Sequence, residues 1–367
     1  MLVETLTPEQ FDANNRRKES LIEFIRSGES ILMAGAGCTG NLYPPWPDFV
    51  ELLKNEALSH DPAFTSDSVD FLDFADDVKA CLGNDMYYAL ISTTFAPGNQ
   101  PHEQHHEILC RLPFRGITTT NYDMVLESAL TAIKPYPNYS LHFEGTAKVE
   151  IHKYLMSLNY NNNLPKRVAH LHGVYSQQAS IVLSRSEYEE KYGFSIVNQS
   201  DTFYDKIKGE MTKDEFKQAL VTYGYQWTLG RKLLWSLLAT RRVIFLGFGM
   251  SDPYFKQMLE FVKDDVGTYY SESHFLVLRV TKNSHQSSMD FSERLKHHYG
   301  IQTVFYYDDE NDYSGLSKFI SELDVINEPL PAVSKIAEEV VAEPKSGNKD
   351  LTSRLLEIAK KQNSDEN

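Results

Sequence analysis

The chain reads as an α/β protein built on a doubly wound, mainly parallel, Rossmann-like sheet with helical insertions, and three observations carry that reading. Short apolar, β-prone runs lead straight into polar or glycine motifs: Ser30-Ile31-Leu32-Met33-Ala34 into Gly35-Ala36-Gly37-Cys38-Thr39, Gly116-Ile117-Thr118-Thr119-Thr120 into Asn121-Tyr122-Asp123, and Val168-Ala169-His170-Leu171 into His172-Gly173. From Arg242 onward, strand-like runs alternate with helical patterns, as a parallel sheet with crossover helices requires. The 367 residues are 41% hydrophobic and 12% aromatic, enough to bury a substantial core.

Taken in order, Thr7-Pro8-Glu9-Gln10 has the form of a capping box, opening a helix whose Leu21, Ile22 and Ile25 make an apolar face. Ser30 to Ala34 is too short for a helix and runs into glycines, so a buried strand ending in a tight turn is expected. Gly35, Gly37 and Gly40 spell G-x-G-x-x-G, but Pro44, Pro45 and Pro47 forbid the helix that a dinucleotide fold would open there. A mobile loop is expected instead, with the next helix beginning near Asp48 and burying Phe49, Leu52 and Leu53. Residues 61–112 are mostly helical in pattern, predicting a helical insertion near 48–112; residues 174–240, rich in Tyr, Ser and charge, predict a second. Val243 to Leu246, a helix from Pro253, His274 to Leu278, a helix to Tyr299 and Thr303 to Tyr306 bring the sheet to about six strands. Residues 1–327 are thus expected to form one domain, and 328–367 a linker (Glu328-Pro329-Leu330-Pro331) with a short amphipathic tail.

A formal net charge of −15 argues against a surface that binds phosphate backbones, so no direct nucleic-acid partner is expected. No run approaches bilayer length and Met1 to Pro8 lacks a basic-then-apolar leader, which predicts no membrane association and a cytoplasmic location. Cys38, Cys81 and Cys110 are too scattered for a disulfide framework or a zinc module. His102 and His106 lie four apart on an expected helix, with His105 beside them, a spacing that can bind zinc. They lack a third ligand at sensible spacing, so no metal is expected.

Open parallel sheets bind ligands at the C-terminal ends of their strands, where Asn121 and His172 are predicted. Glycines 35 and 37 let the backbone approach a pyrophosphate. Gly247, Gly249 and Ser251 form a loop at another strand end, and Asp252-Pro253 has the form of a cap and first helical residue. Taken alone, His172 is more often a core histidine and Asn121 more often the cap of a helix over 124–132; with the glycine turn upstream, the two point to one site. His170 shares a face with His172 unless the strand ends between them, and is assigned to packing or to support behind the site.

At these motifs the chain resembles the sirtuin-like superfamily, and its bacterial antiphage branch best, through Thr120-Asn121-Tyr122-Asp123, His170-Leu171-His172-Gly173 and the segment from Ile244 to Asp252. The resemblance implies NAD⁺ as substrate, cleaved between nicotinamide and ribose. It implies Asn121, His172 and Asp123 as catalytic residues. Gly35, Ala36, Gly37, Thr39, Asp48, Thr120, Gly247, Gly249, Ser251 and Asp252 would then hold the dinucleotide. The departing ring leaves neutral, so the reaction needs stabilisation of an oxocarbenium-like centre and a base for water rather than a general acid. His172 suits the base, Asn121 can orient water and ribose hydroxyls without adding charge, and Asp123 is expected to orient Asn121 or its loop.

Departures from the deacylase pattern lower the expectation of an acyl-lysine substrate. No cysteine follows Cys110 to build the zinc ribbon of deacylases, their acyl-peptide channel segment has no counterpart, and Val50 stands where Pro-Asp-Phe-Arg would place arginine. The expected activity is NAD⁺ hydrolysis to nicotinamide and ADP-ribose in antiphage defence. The alternatives are a deacylase or ADP-ribosyltransferase, and a sensor or scaffold that binds NAD⁺ or ADP-ribose without turnover. The resemblance further implies a homo-oligomer and a regulatory partner, a HerA-like ATPase ahead of an Argonaute-like protein.

Overall fold

The computed structural model describes residues 6–135, 140–142, 148–158, 166–192, 212, 228–250, 252–266, 274–310 and 312–327. In chain order the elements are α1 (Pro8–Arg26), β1 (Ser30–Ala34), α2 (Trp46–His60), α3 (Phe71–Phe95), α4 (Gln104–Arg111), β2 (Gly116–Thr119), α5 (Val125–Ile133), β3 (Ser140–His142), α6 (Lys148–Ser157) and β4 (Val168–His170). They continue with α7 (Arg185–Tyr192), α8 (Leu229–Thr240), β5 (Arg242–Leu246), α9 (Pro253–Val266), β6 (His274–Val280), α10 (His285–Tyr299), β7 (Ile301–Tyr307) and α11 (Ser314–Leu323).

The strands form one sheet in the order β3-β4-β2-β1-β5-β6-β7, and every neighbouring pair is parallel. Leaving β1, the chain lays β2 beside it, runs out to the edge strand β3, inserts β4 between the two, then returns to pair β5 with the other side of β1. That reversal opens a crevice beyond the carboxyl ends of β1 and β5, the place where a doubly wound sheet receives a ligand.

Alternation along the strands sorts side chains onto two faces. Ile31, Met33, Phe245 and Leu276 pack with Leu237 of α8 and Met258 of α9. Leu32, Ala34, Ile244 and Val277 pack with Ile25 of α1, Leu109 of α4 and Phe319 of α11. Both faces are covered, which is why Ser30–Ala34 is buried throughout and carries no polar alternation. Helices α2 and α3 make a third cluster around Phe49, Val78 and Tyr87, closed by Tyr122 and Leu183 from the loops beyond β2 and β4.

Among the described residues the sheet has seven strands rather than about six. The addition is β3, a three-residue edge strand paired only with β4; Ser-Leu-His has neither the length nor the apolar run that marks the others. The segment after Gly35 forms two short 3-10 turns, Ala36–Cys38 and Gly40–Leu42, before α2 begins at Trp46. Helix α3 is broken at Gly83, which adopts φ 73°. Of the second expected insertion, α7 and α8 are described, whereas residues 193–211 and 213–227 lie outside the described residues, as do Ser251 and the tail from Glu328.

Candidate functional site

Two glycine turns lock together at the crevice. The amide of Gly35 donates to the Leu246 carbonyl at 2.9 Å and that of Gly37 to the Gly247 carbonyl at 2.9 Å. Gly247 has φ +63°, and a Cβ there would sit 2.1 Å from the Cys38 nitrogen. Only glycine allows this approach. The amides of Cys38 and Thr39 are likewise held by the Gly35 and Ala36 carbonyls. The first job of these glycines is therefore to seat the turn after β1 against the turn after β5.

A cavity of about 370 Å³ opens beside them. Gly35, Ala36, Gly37 and Thr39 line it from beyond β1, Thr120, Asn121 and Asp123 from beyond β2, His172 from beyond β4, and Gly247, Gly249 and Asp252 from beyond β5. Asp48 does not belong to this group: it is exposed in the first turn of α2 and lines a separate shallow depression with Glu51 and Leu52. With α2 starting at Trp46, the helix phase turns Asp48 outward and Phe49 inward. The remaining wall is aromatic and apolar, with Tyr43, Trp46, Phe49, Phe95 and Tyr188 among its members. Among the described residues lining the cavity none is a lysine or an arginine, whereas Asp123 and Asp252 both reach it.

Asn121 is fixed at three points. Its amide nitrogen donates to Thr119 Oγ1 at 3.0 Å, its carbonyl receives His170 Nδ1 at 2.9 Å, and its side-chain Nδ2 donates to the Gly35 carbonyl at 3.1 Å. A carbonyl can only accept, so the nitrogen must face Gly35 and Oδ1 remains as the acceptor. Asn121 is not the cap of α5. The N-cap position is Met124, and Asp123 just before it accepts the Val125 amide on Oδ1 at 3.0 Å. Burial pushes the Asp123 carboxyl up to about 6, against the pull of that amide and with the help of Glu127.

Strand β4 ends at His170, so the two histidines part company. His170 lies under the site, bonded through Nε2 to Glu127 Oε1 at 2.6 Å. Burial disfavours its charge, yet Glu127 outweighs burial and the pKa of His170 is raised. His172 turns toward the cavity because Gly173, at φ +85° and packed against Ser180, bends the chain; a Cβ there would lie 2.2 Å from the Ser180 carbonyl oxygen. Burial lowers His172 to about 4, with Lys191 adding to the effect and Asp252 opposing it. At neutral pH it is an uncharged imidazole.

The ordering of sirtuin-like motifs thus meets a switch-point cavity holding an oriented asparagine and a neutral histidine. Residues 115–304, more than half of the chain, match the SIR2-like domain family. The chain belongs to this family. It is also similar to the NAD(+) hydrolase ThsA of Enterococcus faecium, with 21% identity over 282 residues, covering 76% of the chain and 49% of that protein. The chain spans about half the length of this curated relative.

Tyr188 has no counterpart in the sequence reading. It comes from α7, whose Arg-Ser-Glu-Tyr-Glu-Glu-Lys-Tyr sequence shows no apolar periodicity, and only its position opposite His172 exposes it. The expected histidine pair also changes. His102 precedes α4 and bonds Ser128 and Glu107, while Glu103, His105 and His106 gather within 4.8 Å. His106 has both ring nitrogens engaged, Nδ1 by the Glu103 amide at 2.9 Å and Nε2 by the Cys38 carbonyl at 2.8 Å. Burial lowers its pKa to about 3. The ring is a neutral strut under the glycine turn.

Proposed function

We propose that this SIR2-like domain hydrolyses NAD⁺ at the nicotinamide–ribose bond. The observation that supports it most is the convergence of Asn121 and a neutral His172 on a cavity whose described wall holds two carboxylates and no basic side chain. Such a wall favours a cationic pyridinium ring over an anion. The diphosphate would lie over the turn from Gly35 to Thr39, and the aromatic residues would cover the ring from water.

The roles follow from the donor and acceptor set. As the glycosidic bond breaks, its electron pair passes to the ring nitrogen and nicotinamide leaves neutral. Water supplies the new bond to the ribose carbon, Asn121 Oδ1 accepts a hydrogen bond that orients it, and His172 takes its proton before releasing it to solvent. A base as weak as His172 suffices because the water becomes strongly acidic once it bonds to an oxocarbenium-like carbon. The products are nicotinamide, ADP-ribose and one proton.

NAD⁺ consumption would deplete the cell of cofactor, consistent with the resemblance to antiphage members. An ungated enzyme of this kind would exhaust its own host. The activity is therefore proposed to need self-association and a gating partner, a HerA-like ATPase ahead of an Argonaute-like protein, with residues 328–367 as the contact. Mass spectrometry of NAD⁺ incubated with the chain and an acetyl-lysine peptide, with and without such a partner, tests the reaction: free ADP-ribose supports it, O-acyl-ADP-ribose indicates deacylation, and unchanged NAD⁺ indicates a binding role. Truncation after Asn327 should weaken oligomeric mass in light scattering before it alters catalysis; an unchanged mass and partner response would remove the tail from the account.

A further inference from the structure

Asp252, Tyr188 and His172 stand in a chain that begins at the end of a helix. Asp252 Oδ1 accepts the Tyr254 and Phe255 amides at 2.9 and 3.1 Å, capping α9 and leaving Oδ2 to receive the Tyr188 hydroxyl at 2.9 Å. The same hydroxyl oxygen lies 3.4 Å from His172 Nδ1. A carboxylate can only accept, so the single hydroxyl proton of Tyr188 is committed to Asp252 and its oxygen presents a lone pair to Nδ1. His172 Nε2 lies 3.9 Å from Asp252 Oδ2, beyond hydrogen-bond distance, so Nδ1 is the ring nitrogen that meets the hydroxyl, and an Nδ1–H imidazole completes that contact and leaves Nε2 as the base.

We propose that Tyr188 is a positioning residue that fixes His172 in the Nδ1–H tautomer, with Asp252 setting the direction of the Tyr188 hydroxyl. The inference rests on the hydrolase reading for its purpose, but the tautomer itself is a property of the unliganded chain. Free imidazole side chains favour the opposite tautomer, so this site must impose its own. The base that faces water would otherwise carry a proton where it needs a lone pair. The wrong tautomer is the way in which loss of an orienting partner disables a catalytic histidine even when the geometry survives.

The supporting elements hold Tyr188 firmly. Glu187 Oε2 accepts the Leu183 and Ser184 amides at 2.8 and 2.9 Å, while its Oε1 receives Lys79 at 2.8 Å and Tyr88 at 2.6 Å from α3. Arg185 pairs with Asp70 and Asp73 at the start of the same helix. Tyr254 stacks on the Tyr188 ring at 4.9 Å and 20°, and His172 meets that ring edge-on at 5.0 Å. Among the described residues, the other groups facing His172 are Asp252 Oδ2, 3.9 Å from Nε2, and Lys191 and Tyr192 on α7; the Tyr192 hydroxyl donates to the Leu171 carbonyl at 3.3 Å.

Imidazole nitrogen NMR of the full chain near pH 7 tests this directly, with His172 assigned by the signals missing from His172→Gln. The expected result is a proton on Nδ1 in the parent chain and a change to Nε2–H in Tyr188→Phe. Asp252→Asn sharpens the test, because its Oδ1 keeps the helix cap while its amide donates to Tyr188 and turns the hydroxyl toward Nδ1, which should also move the ring proton to Nε2. A parent His172 protonated on Nε2, or a tautomer unchanged in both variants, would overturn the inference even if one variant failed to fold. In turnover assays Tyr188→Phe should lower kcat about ten- to a hundred-fold with KM little changed, and a KM effect alone would reduce Tyr188 to a wall residue. Absent turnover in the parent chain, with the Nδ1–H tautomer present, would fault the hydrolase reading and leave the tautomer assignment standing.

Discussion

His170 and His172 are two residues apart and both buried, but they sit in regions that treat charge oppositely. Beneath the sheet edge, between β4 and α5, Glu127 raises the pKa of His170 and turns the ring into a two-pronged donor that bonds both that carboxylate and the Asn121 carbonyl. Above the edge, His172 faces a carboxylate at 3.9 Å rather than 2.6 Å, and burial lowers it to about 4. Proximity of the carboxylate decides the sign: hydrogen-bond contact overcomes desolvation, and a carboxylate 3.9 Å from Nε2 does not. His170, with a ring nitrogen on each of two acceptors, thereby holds Asn121 from below, while the uncharged His172 lines the cavity above.

The largest effect should come from the upper region. His172→Ala and Asn121→Ala are each expected to lower NAD⁺ turnover at least a hundred-fold without loss of the folded state by circular dichroism; parental rates in a folded His172→Ala chain would end its role as base. In the lower region, Glu127→Ala should cost about 3 kcal/mol in denaturant unfolding, since it strands His170 without its carboxylate. Glu127→Gln keeps a hydrogen bond to Nε2 and should cost clearly less. Equal losses for the two variants would mean that contact, not charge, supports Asn121.

The pH profile sharpens the contrast further. Turnover that needs neutral His172 should persist through mild acid and fall only as pH approaches about 4, whereas dependence on the Asp123 carboxylate would place the acid limb near 6. Stability moves independently. The lowered values of His106 at about 3 and of His172 and His274 at about 4 mean that the unfolded chain binds more protons below its ordinary histidine pKa, so these groups weaken the fold as pH falls through that window. His170 and Asp123 are raised and act in the opposite sense. Initial rates taken before unfolding separate the two effects. The smallest effect should come from the histidines of α4: His105→Ala should leave metal content unchanged by plasma emission, because His106 has no nitrogen left for an ion. Stoichiometric zinc in the parent, lost in that variant, would contradict this.

Sequence made the sheet legible wherever an apolar run ended in a functional turn, because burial on both faces forces such runs. It missed β3, whose edge position needs no such run. The residues at strand ends, Asn121, His172 and the Gly247 loop, could be placed because topology alone brings strand ends together. Asp48 was misplaced because one residue of helix phase decides whether it or Phe49 faces inward. Tyr188 could not be seen at all. Its role depends on α7 folding across the site, a long-range packing outcome that a polar eight-residue helix does not advertise.

The central claim is that neutral His172, working with Asn121, directs water onto the nicotinamide-bearing carbon. Mass spectrometry of NAD⁺ incubated in parallel with the parent chain and with His172→Ala, each with the gating partner present, tests it most directly. The account predicts nicotinamide and free ADP-ribose in equal amounts from the parent and none above background from the variant. Equal yields from the two proteins, or intact NAD⁺ with both, would contradict it.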